Sequence, residues 1–78
     1  MENNNLPTLE EFKKTILSNA EEIRKECPEW RLGQTVFNLI DSAYGVAREI
    51  QFKQGIDCFY DDSKIDEFID AVYKLIKD

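Results

Sequence analysis

The 78 residues contain no histidine. That removes the commonest general base near neutral pH and the commonest metal ligand. There are two cysteines, Cys27 and Cys58, spaced as neither a CxxC pair nor a zinc cluster. They read as buried free thiols of a reducing compartment, with a disulfide as the alternative. No serine sits in a G-x-S-x-G turn, and no Walker loop or dinucleotide fingerprint is present. No apolar run approaches the roughly 18 residues of a membrane span. The start, Met1 to Asn5, lacks the basic and apolar stretches of a signal peptide, so the cytoplasm is the expected compartment. Cations are scarce as well, with 10 Lys and Arg against 16 Asp and Glu and a net charge of −6. Direct binding to a phosphate backbone relies on Lys and Arg and is not expected. Nor is an enzyme, a cofactor, a metal site or a membrane contact.

What is present is ordinary for a small globular chain: 42% hydrophobic, 33% charged, with nine aromatics. The length allows one domain of limited core, taken as residues 1–78 with 1–6 flexible. Thr8-Leu9-Glu10-Glu11 has the form of a capping box and predicts a helix start. Leu9, Phe12, Ile16, Leu17, Ala20, Ile23 and Cys27 then make one apolar stripe, which Pro28 ends. A second helix is expected from Pro28 or Glu29, with Trp30, Val36, Phe37, Ile40 and Tyr44 on one face and Leu32, Leu39 and Ala43 widening it. Gly33 inside that helix costs about 1 kcal/mol relative to Ala, which close approach of another backbone would explain. Gly45 suits the left-handed residue that ends the helix. The last helix starts near Ser63, where Ser63-Lys64-Ile65-Asp66 resembles a capping box. It carries Ile65, Phe68, Ile69, Val72, Leu75 and Ile76 at helical spacing.

Residues 46–60 admit two readings. Val46, Ala47 and Ile50 suit a short helix with Gly55 beyond it. Ile50 and Phe52, then Ile56, Cys58 and Tyr60, also alternate as the strands of a β-hairpin at 47–60 around Lys53-Gln54-Gly55. The helix is preferred, because an isolated two-stranded hairpin is marginal in water. The expected fold is therefore all-α, a small compact bundle of three main helices plus a short fourth element.

One polar face of the second helix is less generic. Arg31, Gln34, Thr35, Asn38, Asp41 and Ser42 recur at helical spacing. Its two carboxamides both donate and accept, which suits them to fixing a loop backbone. The natural counterpart is Asp57-Cys58-Phe59-Tyr60-Asp61-Asp62, with Arg31 paired to one of its carboxylates. The same aspartates could be read as a cation site, but they lack the calcium-loop pattern, and helix capping with solvated charge accounts for them.

Arg31-Leu32-Gly33-Gln34-Thr35-Val36-Phe37-Asn38 followed by Asp57-Cys58-Phe59-Tyr60 and Ile65 resembles a group of short uncharacterised bacterial and phage proteins. Their pattern is R-x-G-Q-x-x-F-N, then D-P-F-Y; Cys58 stands where the pattern usually has proline. The resemblance implies no activity. It implies that Arg31, Gln34, Asn38, Asp57, Phe59 and Tyr60 act as one unit, either a structural clasp or a binding site. The leading expectation is a protein-interaction or structural module, its partner another protein or a second copy of itself. Two alternatives stand beside it. One is an acidic regulator imitating nucleic acid through the charge of −5 between Asp57 and Asp70. The other is a small-ligand binder built on Arg31, Gln34 and Asn38 with Tyr60.

Overall fold

A computed structural model describes residues 7–77; the expectation of flexibility at 1–6 falls outside that range. The chain is all-α. Helices α1 (Leu9–Glu26), α2 (Leu32–Tyr44), α3 (Ala47–Lys53) and α4 (Ile65–Lys77) follow in order, with a 3-10 turn at Asp62–Lys64 leading into α4. No strand occurs among the described residues, so 47–60 is not a hairpin.

Helix α1 begins as its sequence specifies. The Glu11 amide donates to the Thr8 hydroxyl at 3.2 Å, and the Thr8 amide donates to the Glu11 carboxylate at 3.0 Å. Phe12, Ile16 and Ala20 of its stripe are buried, while Cys27, expected to be buried, is only partly so. Both cysteines are free thiols.

Helix α2 contacts every other helix and the 3-10 turn. Its start differs from the expected Pro28 or Glu29. Residues 28–30 form a turn in which the Trp30 amide donates to the Cys27 carbonyl at 3.0 Å, and Arg31 stays extended at φ −74° and ψ 164°. Trp30 is therefore outside the helix, half-buried, with its carbonyl accepting from Arg24 Nε at 3.0 Å. Val36, Phe37 and Ile40 are buried as expected, but Ala43 and Tyr44 are exposed near the C-terminal end. Gly45 terminates the helix at φ +70°, its amide returning to the Asp41 carbonyl at 3.1 Å. That conformation is cheap only for glycine.

Helix α3 separates two residues that a strand would place together. Ile50 is fully buried and Phe52 is 77% exposed, because a two-residue step rotates about 200° around a helix. Ala47 and Ile50 join the core; Arg48, Gln51 and Phe52, at positions i, i+3 and i+4, share another face.

The 3-10 turn that leads into α4 is capped by a different residue from the expected Ser63. Asp61, rather than Ser63, accepts at the start of the 3-10 turn, from the Ser63 amide at 3.0 Å and the Ser63 hydroxyl at 2.6 Å. A carboxylate is the stronger acceptor and is favoured by the positive end of the helix. Ile65, Phe68, Ile69, Ala71 and Val72 of α4 complete a core shared by all four helices and Cys58.

Candidate functional site

The 57–62 loop is built by its own aspartates. Asp57 Oδ1 accepts from the Phe59 amide at 3.0 Å and the Tyr60 amide at 3.4 Å, the side-chain-to-backbone bonding that tightens turns. The following residues are tied by Asp61 to Ser63. Those two bonds from Ser63, with Lys64 nearby, hold the Asp61 carboxyl below the usual carboxylate range although it is solvent-exposed.

This loop docks on the head of α2. Arg31 occupies the position before the first helical residue, where Ser, Thr, Asp or Asn would ordinarily accept from the helix amides. Arginine cannot, and no local side chain caps the helix. The acceptor arrives from the loop: the Gly33 amide donates to Asp62 Oδ1 at 3.1 Å. The same oxygen lies 3.6 Å from Arg31 Nε, and Arg31 Nη2 donates to the Phe59 carbonyl. Asp62 thus satisfies an orphan amide, faces the positive end of α2 and pairs with a guanidinium. Below it, the Cys58 thiol donates to the Gly33 carbonyl at 3.4 Å. Burial, reinforced by the nearby Asp57 carboxylate, pushes that thiol up to about 12. It is a neutral donor rather than a nucleophile.

Gly33 makes this docking possible. A Cβ there would collide with the Cys58 carbonyl and lie 2.5 Å from Asp62 Oδ1. Thr35, fully buried, is satisfied through its hydroxyl, which donates to the Arg31 carbonyl at 2.8 Å.

The six expected site residues divide into two groups. Arg31, Asp57, Phe59 and Tyr60 come together at the loop. Gln34 and Asn38 are half-buried on α2 and make no side-chain hydrogen bond among the described residues, so the carboxamides do not hold the loop backbone. That task falls to Arg31 through the Phe59 carbonyl, while Gly33, Cys58 and Asp62 complete the docking. Asp62 was legible only as one of several acids. Its signal was the missing cap on α2, which the expected earlier helix start concealed.

A cleft of about 230 Å³ opens beside the docked loop, lined by Phe37, Arg48, Gln51, Phe52, Phe59 and Tyr60. Phe59 meets Phe37 edge-on with ring centres 5.3 Å apart, and Tyr60 meets Phe59 at 4.8 Å. Tyr60 and Phe52 remain 74% and 77% exposed. Sequence reading missed Arg48, Gln51 and Phe52 as site residues, because the cleft forms only where the distant Phe59 and Tyr60 stand beside their face of α3. Among the described residues, no group of three or more Cys, Asp or Glu side chains is arranged to hold a metal ion. No helix among them is long and apolar enough to cross a membrane.

Compared with protein-family models, curated proteins and solved structures, the chain matches none.

Proposed function

We propose that this chain is a small protein-interaction module without catalytic activity, and that its docking element is the aromatic cleft between α3 and the 57–60 turn. The observation that carries this reading is the pair Phe52 and Tyr60, both about three-quarters exposed at the edge of one cleft. Single exposed apolar residues are common on any surface. Two aromatics flanking a hollow whose lining includes two further phenylalanines are of the kind that anchors interfaces. The cleft is smaller than the roughly 300–1,000 Å³ of small-molecule sites, and so suits one or two side chains of a partner protein. The clasp at Gly33 and Asp62 gives Phe59 and Tyr60 a fixed backing.

The acids between Asp57 and Asp70 already have structural work within the fold, which supports this reading beside imitation of nucleic acid. Asp57 and Asp61 shape turns and Asp62 pairs with Arg31. Asp66 lies 4.0 Å from Lys13, Glu67 lies 3.4 Å from Lys64, and Asp70 lies 3.7 Å from Lys74.

The test combines light scattering after size exclusion with pull-down from a host lysate, using the wild type and a Phe52→Ser/Tyr60→Ser double variant. Both side chains are exposed, so the variant is expected to keep the wild-type melting temperature and lose the captured protein. A wild-type chain that stays monomeric and captures nothing overturns the proposal. Equal capture by the double variant overturns the assignment to the cleft.

A further inference from the structure

The charges around the cleft distinguish one class of partner. Its lining holds a single ionisable cation, Arg48, which forms no ion pair among the described residues. The acids of the adjoining loop are different: Asp57 is taken up by the Phe59 and Tyr60 amides, Asp61 by Ser63, and Asp62 by the Gly33 amide and Arg31. None of these three lines the cleft. Arg48 and Phe52 are four residues apart on α3 and Gln51 lies between them on the same face, so a guanidinium, a carboxamide and an aromatic ring front one hollow. Arginine presents a planar fork of donors that matches a carboxylate, and it is among the residues enriched at interface hot spots.

Resting on the interaction-module reading above, we infer that the cleft receives a peptide segment of a partner protein in which an acidic residue lies next to a leucine-sized or aromatic side chain. The apolar side chain enters between Phe52 and Tyr60 against Phe59, and the neighbouring carboxylate meets Arg48. Gln51 can donate to, or accept from, the segment's backbone. The chain's net charge of −6 repels acidic segments at long range. Selection therefore rests on the local pair, and moderate salt, which screens the long-range repulsion more than a contact, strengthens or leaves unchanged the binding.

A random short-peptide display library panned against the full chain tests this, followed by fluorescence polarisation of a synthetic representative. Enriched peptides are expected to carry Asp or Glu beside Leu, Phe, Tyr or Trp. Arg48→Gln, at an exposed position, is expected to leave the melting temperature unchanged and weaken binding about tenfold, with Arg48→Lys recovering part of the loss. Amidating the peptide's acid should cost the wild type the same factor and the Arg48→Gln chain nothing further. Enriched peptides that lack an acid, that are basic, or that bind both chains equally overturn the carboxylate assignment. The interaction-module reading then survives if Phe52→Ser/Tyr60→Ser still abolishes binding. No enrichment at all overturns this inference; joined to a monomeric chain that captures nothing from lysate, it overturns both.

Discussion

The backbone of Gly33 and the backbone of Cys58 are in direct contact, with the Cys58 carbonyl occupying the space a Cβ on residue 33 would need. The Cys58 thiol returns the contact by donating to the Gly33 carbonyl. A helix and a loop distant in sequence therefore meet at the one α2 position without a side chain. The clasp, the cleft wall and the cap of α2 all depend on that meeting.

Gly33→Ala should destabilise the chain, against the usual direction for glycine inside a helix. The helix itself would gain about 1 kcal/mol from alanine. The obstructing atom is a backbone carbonyl, which cannot swing aside as a side chain could, and overpacking of this kind costs about 1–3 kcal/mol. Urea denaturation is expected to show a net loss of up to about 2 kcal/mol. A stabilised variant would rule out the close approach.

Arg31→Ala and Asp62→Ala should each cost about 1 kcal/mol, for different reasons. Both side chains are about half exposed, 50% and 47%, so their ion pair contributes less than the 3–5 kcal/mol of a broken buried pair. Arg31 also loses its bond to the Phe59 carbonyl, and Asp62 its bond to the Gly33 amide. Asp62→Asn keeps an acceptor for that amide and is expected to retain most of the cap's stability. A double-mutant cycle by thermal melting would separate the shared ion pair from the two private bonds.

Cys58 should resist alkylation in the native state while Cys27 reacts. Iodoacetamide at pH 8 followed by mass spectrometry is expected to label Cys27 first, and Cys58 only as the chain opens. The same burial sets an alkaline limit. The folded thiol is raised from its ordinary value near 9 to about 12, so its contribution to stability is complete below about pH 9 and is lost as pH rises from there towards 12. Cys58→Ala removes this dependence, and the difference between the two melting curves across that window should shrink as pH increases.

Ile50→Ala should cost about 3 kcal/mol, as expected for a fully buried aliphatic side chain. Phe52→Ala should change stability by less than about 0.5 kcal/mol, since its ring is 77% exposed. A hairpin would place both on one face and give them similar costs. Chemical denaturation of the two variants distinguishes these arrangements.

Local pattern was sufficient wherever neighbours in sequence are neighbours in space. The Thr8–Glu11 capping box, the stripes of α1 and α4 and the left-handed Gly45 all follow from contacts within a turn or two. Gly33 also announced itself, because a glycine inside a helix needs a reason. Tertiary structure decided what depends on distant partners. The alternation of Ile50, Phe52, Ile56, Cys58 and Tyr60 is compatible with strand or helix until Ala47 and Ile50 have a core to enter. Helix α2 starts at Leu32 with Arg31 extended, where the Phe59 carbonyl and Asp62 meet its side chain and the first turn. Which aspartate pairs with Arg31 is likewise set by reach across the fold, since all the loop's carboxylates are chemically alike. The sequence by itself thus determined α1, α4, the end of α2 at Gly45 and the need for a close approach at residue 33. Only packing determined what approaches, and so where the aromatic cleft opens.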